Sequence, residues 1–122
     1  MSLVRATKES EAGLPPNPAL MAAIGKLAEE AVSEGVMVGM AGLAPSSKGA
    51  RVRASGGKVT VVDGPFAEIK ELIAGYAILE VNSREEAIEQ ARRFMQVHLD
   101  ALGPSYEGEC EVRQIFGGQG RP

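Results

Sequence analysis

Two side chains combine reactive chemistry with a defined place in the pattern of this chain: Asp63 and His98. Asp63 ends the run Val59-Thr60-Val61-Val62, just before Gly64-Pro65-Phe66. A carboxylate there can hold the turn, accepting from backbone N–H groups two or three residues on. Partly buried in a cleft, with its pKa raised by desolvation, it could instead be a general base. The two roles are compatible. Gly64, Pro65 and Phe66 supply backbone geometry and anchoring rather than chemistry. His98 is the single histidine. It falls on the apolar side of a helical pattern that includes Ala91 and Phe94. A lone histidine near a helix end often serves structure, through a carbonyl or the helix dipole. It could equally be the proton partner of Asp63, because imidazole titrates near neutrality.

Around this pair stand groups that could hold a ligand. Arg51 and Arg53 share one face of a strand and could grip an anion bidentately, although such pairs are commonly the solvent face of an edge strand. Glu68, Lys70 and Glu71 form a charged run whose default is solvated surface. In an extended link, Glu68 and Lys70 would share one side and could line a cleft mouth or bridge two copies. Tyr76 could aim its hydroxyl into a pocket or pack in the core. One His and one Cys cannot build a common zinc site. Neither a GxxxxGK[ST] loop nor a GxGxxG after a strand is present. No cofactor and no metal are therefore expected, and Cys110 reads as a packed strand residue.

The elements that must position these groups are legible from periodicity and punctuation. Residues 2–8 read as a short first strand and 9–17 as a loop. Asn17 caps a first helix with Pro18 at its first position. Leu20, Ile24, Leu27 and Ala31 form its apolar stripe, and Gly35 ends it. Val36 to Ala44 is a strand whose Gly39 and Gly42 suggest a bulge or a close backbone approach. Residues 45–49 are a loop. Arg51 to Ala54, Gly56-Gly57 and Lys58 to Val62 read as a hairpin. Residues 67–72 fit either a helical turn or an extended link. Ile73 to Val81 is apolar on both faces and reads as a central strand. Ser83 and Glu86 form a capping box for a second helix, on which Glu89 and Arg93 can pair. Residues 109–116 are the last strand. The order β-α-β-(β-hairpin)-β-α-β is an α+β, ferredoxin-like pattern with an inserted hairpin. Residues 1–117 form one domain, and 118–122 a flexible C-terminal tail.

Bulk properties bound the function. The 122 residues carry 13 Lys+Arg and 16 Asp+Glu, a formal net charge of −3 without a basic cluster. Direct nucleic-acid binding is thus disfavoured, because phosphate backbones demand concentrated positive charge. A single cysteine excludes an intrachain disulfide and fits a reducing cytoplasm. No apolar run is long enough for a signal peptide or a membrane span. Two helices can cover only one face of a four-stranded sheet. The other face calls for a partner, and a symmetric homodimer packed sheet to sheet supplies one.

At Asp63-Gly64-Pro65-Phe66 the sequence also resembles the YCII-related family, in particular the subgroup marked by a DGPF motif. Residues 63–71 are similar to that subgroup's DGPFaEtKE pattern, with Ile69 where Thr is usual. Residues 37–49, 50–58, 72–75 and 110–116 resemble its other blocks. The resemblance implies a dimeric α+β barrel made of two ferredoxin-like subunits. It also implies a functional range. A related YCII-type enzyme is a dehydrochlorinase with a proposed His-Asp pair, and the wider superfamily includes muconolactone isomerase and small monooxygenases. The YCII-type histidine lies near the start of the first helix, where this chain has Asn17-Pro18-Ala19-Leu20. His98 is instead similar to a histidine late in DGPF members. Two functions follow as expectations. One is a cofactor-independent lyase or isomerase acting on a small anionic or aromatic molecule, with Asp63 and His98 catalytic and Arg51, Arg53, Glu68, Lys70 or Tyr76 binding substrate. The other is a non-catalytic module that senses a ligand or binds a protein, linked to regulation of the sigma-factor type.

Overall fold

A computed structural model describes residues 1–116 of the chain. Strand β1 (Ser2–Arg5) opens the fold and leads to a single helical turn, α1 (Lys8–Glu11). The loop expected over 9–17 thus holds a helix at its start. Thr7 and Ser10 cap α1 reciprocally, each side chain taking the other's backbone N–H. Helix α2 (Pro18–Ser33) begins as its sequence dictates: the Asn17 side chain accepts from the Leu20 N–H at 3.0 Å. Strand β2 (Met37–Gly42) follows, then a 3-10 turn at Ser46–Lys48. Strands β3 (Ala50–Ser55) and β4 (Lys58–Asp63) are joined by Gly56 and Gly57. Both glycines have positive φ, 60° and 78°, as a tight two-residue hairpin turn requires. A second 3-10 turn at Ile69–Glu71 resolves the ambiguous link before strand β5 (Ile73–Leu79). Helix α3 (Arg84–Leu102) and strand β6 (Cys110–Val112) complete the described chain.

The main sheet is antiparallel, in the order β2-β5-β1-β6. This is the ferredoxin-like order once the hairpin is set aside, with β5 and β1 in the middle. Register divides the faces. Ser2, Ala77 and Met40 share one row, and Val4, Gly75 and Gly42 the next, all on the side of α2 and α3. Leu3, Tyr76 and Ala41 share the intervening row on the helix-free side. Strands β3 and β4 form a separate two-stranded sheet. The buried apolar core is thin: Leu20, Ala31, Leu72 and Ala91.

Several details differ from the sequence reading. The last strand is three residues long rather than eight. The capping box of α3 is displaced by one residue. Ser83 accepts from the Glu86 N–H at 3.2 Å, but the Glu86 carboxylate takes the N–H of Asn82. Glu89 pairs with Arg92 at 3.4 Å, while Arg93 reaches across to Glu30 on α2, also at 3.4 Å. The second pair joins two elements, which periodicity within one helix cannot reveal. Gly39 follows the expected irregularity in β2 pairing, but a side chain at Gly39 or Gly42 would meet open space. The tail at 118–122 lies outside the described residues. Among the described residues, no helix is long and apolar enough to cross a membrane.

Candidate functional site

The Asp63-Gly64-Pro65-Phe66 turn fastens the base of the hairpin to the body. The Phe66 N–H donates to Ser46 Oγ at 3.1 Å. Ser46 in turn donates its backbone N–H to Glu11 Oε2 at 2.9 Å and its hydroxyl to Glu11 Oε1. The Gly64 N–H donates to the Gly49 carbonyl at 2.9 Å. A side chain at position 64 would overlap the Ser46 carbonyl, so only glycine fits. The Gly64–Pro65 peptide is cis. The Arg51 guanidinium lies 4.0 Å from the centroid of the Phe66 ring and 4.0 Å from the Glu71 carboxylate. Arg51 is thereby occupied in holding the turn.

Asp63 sits at the end of β4, exposed. Its carboxylate neither caps the turn nor meets His98 or Tyr76, since none of the hydrogen bonds or ion pairs among the described residues includes it. Register puts it on the same face of the hairpin as Ala50, Val52, Ala54, Val59 and Val61. Arg51 and Arg53 share the opposite face, as expected, and Arg53 is exposed. The link over 67–72 is not extended, so Glu68 precedes a 3-10 turn and Lys70 lies within it instead of the two sharing one side of a strand, and both are exposed.

His98 is placed differently. It is buried, with 8% of its surface exposed, between α3 and the sheet. Its Nδ1 lies 2.8 Å from the Phe94 carbonyl. A carbonyl can only accept, so Nδ1 carries the proton, and Nε2 of the neutral ring is left as an acceptor. Nε2 has no hydrogen-bond partner among the described residues, yet no fully enclosed side-chain nitrogen or oxygen is unsatisfied. Nε2 therefore keeps some accessible surface. Phe94 packs against the ring at 4.6 Å between centroids, and Tyr106 stacks on it at 5.3 Å. Burial, with the neighbouring Cys110 thiol second, pushes the Tyr106 hydroxyl above its ordinary pKa. The Cys110 Sγ lies 2.8 Å from Ser2 Oγ.

His98 lines a cavity of about 270 Å³ between the two helices and the sheet. Small residues create the space: Gly42, Gly75 and Ala77 on the sheet, Ala28 and Ala31 on α2, Ala91 on α3. Met21 and Met40 also line the cavity and are exposed. The polar lining side chains are Ser2, Gln90 and His98. Tyr76 borders the cavity, but strand alternation directs its side chain to the opposite face from Gly75 and Ala77. Among the described residues, no Asp, Glu, Lys or Arg lines it. A cavity of about 150 Å³ holds benzene, so this one takes a molecule on the order of ten heavy atoms.

Of the residues singled out from sequence, the structure thus brings His98 to a pocket and leaves Asp63, Arg51, Arg53, Glu68 and Lys70 at or beside the hairpin. Ser2, Gln90 and Tyr106 were missed. Their types carry no spacing signal, since Ser2 joins the cavity lining and Tyr106 joins His98 only through the strand pairing of β1 and the turn after α3. The small residues on facing elements were the available sign, because alanines and glycines on both sides of one layer leave room between them.

Comparison with known proteins agrees with this architecture. The family model for the YCII-related domain matches residues 1–103. An uncharacterised protein of Rhizobium meliloti (strain 1021) is 37% identical over 84 residues, which cover 69% of this chain and 63% of that protein. The alignment thus spans less than two thirds of the relative's length. With the model covering all three helices, the hairpin and the main sheet as far as β5, the chain belongs to the YCII-related family.

Proposed function

We propose that the cavity between helices and sheet is a binding site for a small, largely apolar and neutral molecule, such as a phenol or lactone, and that His98 accepts a proton from it. This makes the protein a cofactor-independent lyase or isomerase-type enzyme. The observation that carries the reading is the buried imidazole. Its Nδ1 is committed to Phe94, while Nε2 retains acceptor capacity beside an apolar space. A base held in that way is oriented before the ligand arrives, and apolar walls strengthen its interaction with a donor. The lining by described residues without charged side chains favours a neutral ligand over an anion. Arg51, whose guanidinium is held by Phe66 and Glu71, is a poor anion clamp for this site.

The reading is tested by calorimetric titration with neutral phenols and lactones alongside their carboxylated counterparts. Neutral compounds bind the wild type, and His98→Gln weakens binding about tenfold to a hundredfold, the cost of one hydrogen bond in a largely apolar site. Equal affinity in the variant, or a preference for the carboxylates, removes His98 from the recognition role. Proton transfer has its own readout: a bound ligand exchanges an acidic C–H with deuterated solvent in the wild type and not in the variant. Binding without exchange marks a sensing module instead of an enzyme.

The assembly that suits this chain is a homodimer packed through the helix-free sheet face, where Leu3, Tyr76 and Ala41 share a row. Strand alternation adds Ile78 to that face.

A further inference from the structure

The β3–β4 hairpin presents a face that the described residues of its own chain leave uncovered. Register aligns Ala50 with Asp63, Val52 with Val61 and Ala54 with Val59, all on one side. Val52, Val59 and Val61 are 69%, 71% and 66% exposed. The opposite side carries Arg51, Arg53, Ser55, Lys58 and Thr60, with Val62 as its apolar member. The apolar side of this hairpin stands open to solvent, whereas a hairpin packed on its own body would turn that side inward. A two-stranded hairpin in water is marginal by itself, and contiguous exposed apolar surface marks an interaction site.

Area identifies the occupant. A compact folded monomer of this mass exposes about 6,300 Å². This chain exposes 8744 Å², a surplus of roughly 2,400 Å². Counting residues 117–122 at the roughly 800 Å² that a fully extended segment of their mass would expose still leaves a surplus of about 1,600 Å². A stable dimer buries about 800 Å² per partner, and obligate dimers more. The surplus is thus of the size that a second copy covers. Each chain also has two unpartnered surfaces, the valine face of the hairpin and the helix-free face of the sheet. A two-fold axis that pairs one with the other satisfies both surfaces in both copies at once.

We infer that the β3–β4 hairpin is an arm whose Val52, Val59 and Val61 face docks on the helix-free sheet face of a second copy of this chain. The inference rests on the homodimer proposed above and adds the arm to it. It also gives Asp63 a setting. As the charged residue on the valine face, at the anchored base of the arm, its carboxylate enters the interface edge and faces the second copy. Glu11, Ser46 and Phe66 fix where the arm leaves the body, so its direction is set before the copies meet.

The test is sedimentation velocity on the full chain at micromolar concentration, with three proteins. The wild type sediments at twice the 12.8 kDa chain mass. The double variant Val52→Lys, Val59→Lys weakens association by about 100-fold or more and sediments as a folded monomer, because both positions are solvent-exposed within the chain. Ile78→Glu, on the sheet face, does the same. If the hairpin variant stays dimeric while Ile78→Glu is monomeric, the arm is wrong and the sheet-face dimer stands. A monomeric wild type overturns both. Hydrogen exchange on the wild type gives a readout without variants. Protection of β3 and β4 amides rises with protein concentration if the arm docks, and concentration-independent exchange there refutes it.

Discussion

At the scale of the residue, placement separates the two groups that looked most reactive. His98 sits buried between helix and sheet with one nitrogen committed, so its ring orientation is fixed. Asp63 stands exposed on another sheet. Tyr106 illustrates how a residue without a motif acquires significance. It stacks on His98, its ring closely abuts Gly108, and burial raises its pKa. The linkage has a definite sign. An unfolded tyrosine ionises near pH 10, whereas Tyr106 in the folded chain holds its proton to higher pH. Above about pH 10 the unfolded state therefore binds fewer protons, and stability falls as pH rises. Below that pH the contribution is fully present. Melting temperatures of the wild type and Tyr106→Phe, measured from pH 8 to pH 11, are expected to show the wild type losing its advantage above about pH 10. A constant difference between the two across the range would refute the assignment.

At the scale of the element, the hairpin is held at its base and hardly anywhere else. The chain Glu11–Ser46–Phe66 links α1, the loop after β2 and the turn after β4. Ser46 is the hub, since its hydroxyl accepts from Phe66 and donates to Glu11. Removing it leaves the Phe66 N–H without its partner and Glu11 with only the backbone N–H of residue 46. Ser46→Ala is expected to cost about 1–3 kcal/mol in urea unfolding. Glu11→Ala acts on the same linkage, so the double variant should cost less than the sum of the singles by about 0.5 kcal/mol or more. Strict additivity would mean that the linkage contributes nothing as a unit. The helices show the complementary case. Asn17 and Ser83 cap α2 and α3 locally, while Glu30–Arg93 joins them across the layer. That exposed pair stabilises little, and the shared packing against the sheet sets the helix positions.

At the scale of the whole molecule, the balance of surface and core is the informative quantity. Among the described residues, four apolar ones reach burial, and Val52, Val59, Val61 and Val38 remain open to solvent. A core this thin leaves a chain of this length marginal unless a partner contributes. The apparent melting temperature should therefore rise with protein concentration across two decades, in calorimetry or by fluorescence, as mass action requires for a protomer stabilised by association. A melting temperature independent of concentration would mean that the folded chain gains nothing from a second copy. The cavity belongs to this scale too. It exists because Gly42, Gly75, Ala28, Ala31 and Ala91 come from four different elements and face one another.

Much of the architecture was local, and local features are written in the sequence. Asn17-Pro18 and Gly35 bound α2, Gly56-Gly57 turns the hairpin, and the apolar continuity of 73–79 marks a central strand. Each follows from the conformational preferences of a few adjacent residues. The order of these elements sufficed for the ferredoxin-like fold, and the residues around Asp63 sufficed for the family. The candidate site was different. Whether Asp63 and His98 meet depends on where the hairpin sits relative to the sheet, and contacts between distant segments set that position. Pairing of β1 with β6 brings Ser2 to Cys110, 108 positions apart, beside the turn that stacks Tyr106 on His98. Ionisable side chains announce themselves in a sequence, whereas an empty space does not. The cavity is defined by what alanines and glycines on facing elements fail to fill, so only the packed layer could reveal it.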